Sequence, residues 1–396
     1  MRFATIKLKN ILKLIIFLFT LSILFIFSKT NFSSVKESVN ICFVSVLPSL
    51  FPFILFTELI LKNNLTDTIV IFFGNIFSKI FKIKKSATPA IIIGFLCGFP
   101  MGAKTVNKLY EENKISYNEA QFLLLFVNNC NPAFIISTIG IAFFLNIKIG
   151  ILLYISHIIS AIIIGTVSSR NIIHKKSLNL KKFNKKSLNN NNINKQNIIN
   201  IEKKAEKKEN IIETLRKSIL SSFVTLSTIF GYIIVFNLIF DILKDILLKI
   251  NINSNYIDIL SGIFEVTRGS LNVCNSDFDI KTKICIVSFL LGFNGICIIF
   301  QIYSTVAKHN FDLFKIIKSK IIQGIISSFT TYILLGFIDI SDITQNVFFT
   351  IDKNITYSTF LENIKESYTN SLFLIIFLLT IYLIISKIYK HKKCNK

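Results

Sequence analysis

Two cations stand beside chain-breaking residues in an unusually apolar sequence. Lys104 follows Gly98-Phe99-Pro100-Met101-Gly102-Ala103, and Arg268 lies inside Glu265-Val266-Thr267-Arg268-Gly269. An ionisable group at membrane depth is costly and marks function by default. Two plainer readings stay open: an interfacial lysine whose stem snorkels to water, and a Glu265–Arg268 ion pair three residues apart on one helix face. Asn128, Asn129, Asn131, Asn294 and Gln301 bring amide groups suited to a bound solute or to helix–helix adhesion. Glu58 is a weak candidate for a coupling-ion or proton site, or else an interface residue. Pro48 and Pro52, four residues apart, free carbonyls on nearly one helix face. This is chemistry for binding rather than for catalysis. His157, His174, His309 and His391 are isolated, and the sequence holds no P-loop, nucleophile elbow or HExxH. No catalytic residue, metal site or cofactor is expected, and the chain is not expected to be an enzyme. Cys42, Cys97, Cys130 and Cys297 sit in apolar runs without a CxxC and read as packing residues.

The elements that must hold these residues are membrane helices. Of 396 residues, 52% are apolar and 17% charged, and the apolar ones form long runs rather than one stripe per helix. A span needs roughly 20 such residues, and the alternation of a β-barrel is missing. Lys and Arg number 45 against 22 Asp and Glu. They flank the apolar runs or fill one loop, so membrane orientation accounts for them and no nucleic-acid partner is expected. Residues 170–217 hold 14 Lys or Arg against 4 Glu and read as a flexible cytoplasmic linker, with lipid-headgroup or polyanion binding as the other reading. With the linker inside, the positive-inside rule gives helices near 11–28, 39–61, 120–146, 147–169, 218–242, 284–306, 319–340 and 371–388, with both termini cytoplasmic. The first follows Arg2, Lys7, Lys9 and Lys13 like a signal peptide but lacks an A-x-A site, so it is expected to be retained. The loop around 308–320 falls inside, while Asp258, Glu265, Asp277 and Asp279 fall in an outer one. Residues 87–103 and 256–273, Gly-interrupted and short, read as re-entrant.

The halves echo each other. Phe51-Pro52-Phe53-Ile54-Leu55 corresponds to Phe230-Gly231-Tyr232-Ile233-Ile234, and each is followed by a re-entrant candidate. Then comes a helix broken at Asn128-Asn129-Cys130-Asn131-Pro132 or at Gly292-Phe293-Asn294-Gly295. The expected fold is all-α: a polytopic membrane helix bundle of about eight spans plus two re-entrant segments, arranged as an inverted-topology repeat. Its parts are an N-terminal helix at 1–34, a first gate-like repeat at 35–169, the linker at 170–217, a second repeat at 218–340, and an extracytoplasmic loop, last helix and basic tail at 341–396. Inverted repeats with discontinuous helices are the architecture of many secondary transporters.

Leu47-Pro48-Ser49-Leu50-Phe51-Pro52-Phe53, Gly98-Phe99-Pro100-Met101-Gly102-Ala103-Lys104, Asn131-Pro132-Ala133-Phe134 and Glu265-x-Thr267-x-Gly269 occur in that order. Together they resemble the YlbJ family of sporulation integral membrane proteins over roughly residues 35–340. That family carries the nucleoside-recognition, or gate, domain also found in concentrative nucleoside transporters. The resemblance implies placement in the outer forespore membrane and passage of dipicolinic acid from the mother cell toward the spore. Dipicolinate has two carboxylates, so half-helix N-termini together with Lys104 and Arg268 become its expected partners. The proposed contact set is Gly98, Pro100, Gly102, Lys104, Asn128, Asn129, Asn131, Glu265, Thr267, Arg268, Gly269, Asn294 and Gln301. A nucleoside transporter is the alternative should Lys104 and Arg268 face elsewhere, and a scaffold whose linker recruits partners is the third. Oligomeric state is not readable.

Overall fold

The structure, a computed structural model, describes residues 26–184 and 211–337, with the side chains of 26–169 and 211–337. Every regular element among these is helical. The helix expected near 371–388, nearly all of that near 11–28, the middle of the linker and the loop after 341 lie outside the described residues.

The first helix, α1 (Ser28–Lys62), is 35 residues long. It widens into a π turn at Cys42–Val46, directly ahead of Pro48 and Pro52. The wider turn makes room for the proline rings and for the carbonyls they leave without a donor. Next comes α2 (Thr66–Phe81), which the sequence reading left unassigned. Ile71, Phe72, Phe73, Ile76 and Ile80 stay exposed on it. Four helical stretches among the described residues are long and apolar enough to cross a membrane: Ser28–Lys62, Ile147–Ser169, Ile211–Lys249 and Ile280–His309.

Residues 87–103 do turn back on themselves, as α3 (Thr88–Leu96) and α4 (Met101–Glu111). A Cβ on Gly102 would lie 3.2 Å from the Gly94 Cα and 2.7 Å from the Val127 carbonyl oxygen. The stretch expected as one span near 120–146 is divided into α5 (Tyr117–Leu124) and a π-helical α6 (Phe134–Phe143). Helix α7 (Ile147–Asn184) runs on into the stretch taken as linker, since Lys, Leu and Asn there permit helix once it has been nucleated. Its partner across the linker, α8 (Ile211–Lys249), starts before the expected 218.

The second half has the same order of elements as the first apart from α2, which has no counterpart in it. A long helix, α8, is followed by a hairpin of α9 (Ser254–Phe264) and α10 (Val266–Asn275), a divided pair α11 (Ile280–Phe293) and α12 (Gly295–Val306), and a closing helix α13 (Leu313–Leu335). Here too glycines make the fold-back possible: a Cβ on Gly269 would come within 1.9 Å of the Gly262 Cα. Asp312 caps α13, and the Lys315 side chain and N–H hold its carboxyl below the usual carboxylate range.

Helices α1 and α8 run antiparallel. Thr30 donates to Asp245 at 2.8 Å, Asn237 donates to Ser38 at 3.0 Å, and the rings of Phe43 with Phe230 and Phe51 with Phe223 pair at 5.7 and 5.3 Å. Elsewhere the core is close-packed aromatic, with the Phe126 ring 4.8 Å from Phe81 and 5.1 Å from Phe122. Each such pair contributes about 0.5–1.5 kcal/mol beyond area burial.

Candidate functional site

Both hairpin tips and both helix divisions converge on one small cavity of about 10 Å³, room for about one water in this closed arrangement. Phe99 comes from the first tip, Glu265 and Thr267 from the second. Phe134 follows the first division, Ile298 and Gln301 the second, and Val46, Leu50, Ile229 and Ile233 wall it from α1 and α8. Most of this surface is apolar. Its polar groups are chiefly acceptors: the Glu265 carboxylate, 1% exposed, and Gln301 Oε1, which is buried without a hydrogen-bond partner.

Glu265 is fixed by local structure. Its backbone is extended, ending α9, and its two carboxylate oxygens accept from the N–H groups of Thr267 at 2.9 Å and Arg268 at 2.8 Å. It is thus the N-cap of α10, joined to backbone donors a hairpin turn leaves open. Glu265, counted among the acidic residues of the outer segment and also within the re-entrant stretch 256–273, lies in the buried hairpin, where capping satisfies its charge. The side-chain pair with Arg268 is corrected, since Glu265 precedes the helix and spends both oxygens on the backbone.

Arg268 instead bonds Asp241 of α8 at 2.6 Å and Glu37 of α1 at 2.9 Å. Lys104 pairs with Glu58 of α1 and approaches Ser221 and Thr225 of α8 at 3.3 and 3.4 Å. Each cation therefore spans the α1–α8 pair, and neither lines the cavity. The two clusters stand at opposite ends, because Glu37 and Glu58 are about 30 Å apart along α1 at ~1.5 Å per residue. That is about the thickness of a bilayer's hydrocarbon core.

Behind the cavity, the two divisions touch. The Asn128 carbonyl accepts from Asn294 Nδ2 at 2.8 Å and from Lys320 Nζ at 2.5 Å. Gln323 donates to Asn129 Oδ1 at 3.0 Å and accepts from Lys320 at 2.8 Å. Asn129's carbonyl receives the Phe99 N–H at 2.8 Å, which seats the first tip on the first division. Asn131 donates to the Ser49 carbonyl at 2.8 Å, and its Oδ1 accepts from the Phe134 N–H, so α6 begins on its side chain. His157 Nε2 accepts the Cys130 N–H at 3.1 Å. Gly98, at φ +78°, needs glycine twice over, since a Cβ there would lie 2.9 Å from the Asn131 nitrogen.

Of the contact set read from sequence, Glu265, Thr267 and Gln301 reach the cavity. Asn128 and Asn294 instead join the two divisions, Asn129 ties the first division to α13 and the first tip, and Asn131 ties it to α1. Gly98, Gly102 and Gly269 serve close backbone packing, and Pro100 precedes α4. Lys104, Arg268 and Glu58 belong to the ion-pair clusters. Lys320, placed by the sequence in a cytoplasmic loop, is a correction: it lies within α13 and is fully buried. Asp312 caps that helix early enough to carry Lys320 inward. Gln323, one turn on, was the available signal, since it puts a second polar group on the same helix face.

Residues 43–169 match the family model described as Gate: Nucleoside recognition. The chain is 26% identical over 334 residues to the sporulation integral membrane protein YlbJ of Bacillus subtilis (strain 168), with 81% of each protein covered. No solved structure matches the chain. By domain match and by similarity over most of its length, the chain therefore resembles a sporulation integral membrane protein, and its residues 43–169 resemble a nucleoside-recognition gate domain.

Proposed function

We propose that this chain is a membrane transporter in which a small organic solute passes between the two hairpin tips. The carrying observation is the shared cavity, to which both tips and both divided helices contribute. Two halves of like element order, whose leading helices pair antiparallel, support an inverted-topology repeat, and such repeats bind solute where half-helix ends meet. On this reading the Lys104 and Arg268 clusters are the closures of the two membrane faces, and solute access alternates as one or the other parts. Eight spans with cytoplasmic termini complete the topology, the lipid bilayer and the solute are the partners, and no catalytic step is required.

The solute is proposed to be dipicolinic acid, moved across the outer forespore membrane from the mother cell. Similarity to a sporulation protein supports this. Two carboxylates need positive partners, so dipicolinate would draw Lys104 or Arg268 from its acidic neighbour. The cavity's lining favours a second solute class. With Glu265 and Gln301 Oε1 as acceptors and both cations tied up elsewhere, it suits a neutral solute with hydroxyl and N–H donors, such as a nucleoside.

The deciding experiment is the dipicolinate content of spores and mother cells in a strain lacking this gene. Persistent synthesis with empty spores supports the anion. Normal filling overturns it, and uptake competition with nucleosides then tests the second solute.

A further inference from the structure

Among the described lysines, Lys320 alone is fully buried. No carboxylate of a described residue pairs with it; its ammonium meets the Asn128 carbonyl at 2.5 Å and Gln323 Oε1 at 2.8 Å. A buried charge without a counter-ion must be held by oriented dipoles, and both acceptors here are neutral oxygens. The Asn128 carbonyl is available because it lies in the irregular segment that follows the end of α5 at Leu124, past that helix's negative end. That same oxygen takes Asn294 Nδ2, and Gln323 reaches on to Asn129. The ammonium thus sits where two divided helices and α13 meet.

Neutral carbonyl and amide oxygens at an unwound helix are what discontinuous-helix transporters offer to a coupling cation. We propose that the Lys320 ammonium is a tethered substitute for a bound monovalent cation at this junction, so that the protein needs no alkali ion there. The inference rests on the junction alone; for the transport reading above, it makes solute movement independent of a sodium gradient.

The test is thermal unfolding of the purified full chain in sodium, potassium, methylammonium and choline chlorides at equal concentration. Wild type should unfold at one temperature in all four. Lys320→Ala, which opens the site, should be less stable in choline and regain about 4 °C, saturably, with methylammonium or sodium. Lys320→Met, which refills the space without charge, should show no such recovery. Should Lys320→Ala not accumulate, Lys320→Ser, which also leaves the site open, takes its place under the same salts. An opened variant indifferent to the cation, or a wild type itself stabilised by sodium over choline, overturns the proposal. Because unfolding needs no solute, a failure of flux in vesicles would count against the transport reading and leave this one standing.

Discussion

Glu265 works in two directions at once, capping α10 through both oxygens while facing the cavity. Glu265→Gln keeps one cap acceptor and removes the charge, so the fold should persist. If dipicolinate is the solute, its affinity should rise on this change; if a nucleoside is, affinity should fall about tenfold, the loss of roughly one charge-assisted hydrogen bond. Equilibrium binding of both solutes to wild type and variant reads the sign directly. At the other cluster, Lys104 and Glu58 should couple by about 1–3 kcal/mol in a double-mutant cycle of Lys104→Met and Glu58→Gln, followed by urea or thermal unfolding. Additive effects would mean that the pair is incidental. The sequence marked Lys104, Glu58 and Arg268 as unusual because charges are rare in apolar runs. It could not supply their partners: Arg268 and Glu37 are 231 residues apart, and such contacts exist only after the long helices pair.

The elements were most legible where backbone chemistry is most restrictive. Asn128 to Pro132 and Asn294-Gly295 do divide their helices, and both Gly-interrupted segments do fold back. Less legible were α2, whose apolar run is short and lies between a span and a basic stretch, and the inward reach of α13. Lys320 counts as a flanking charge by composition, and only its neutral oxygen partners make it an interior one. The hairpin crossings permit a sharp expectation. Gly269→Leu forces side-chain atoms into the Gly262 backbone and should cost about 3 kcal/mol or prevent accumulation. Gly231→Leu, on a glycine with open space around it, should leave Tm within about 2 °C and serves as the control.

For the whole molecule, charge asymmetry and antiparallel pairing make the same prediction by separate routes. Asn113, in the loop after α4, should lie on the side of the basic linker, and Asn251, just past α8, on the opposite side. In a background without reactive cysteines, Asn113→Cys should resist a membrane-impermeant maleimide in intact cells, while Asn251→Cys should react. Equal labelling of both would remove the proposed topology. The sequence carries an expectation for this global arrangement because lysine distribution and helix length answer to the bilayer itself. The cavity could not, since seven of its ten lining residues are ordinary apolar side chains that become a site only by convergence.

The α1–α8 pair, tied near each end, behaves on the transport reading as a rocker. Two stiff rods that roll against each other near their middles part at one end as they close at the other, so strain released at Glu58 and Ser221 is loaded onto Glu37 and Asp241. Tight closure at either end then slows the cycle, and looseness at both uncouples the two ends. A chain with both clusters weakened would be a leak rather than a faster carrier.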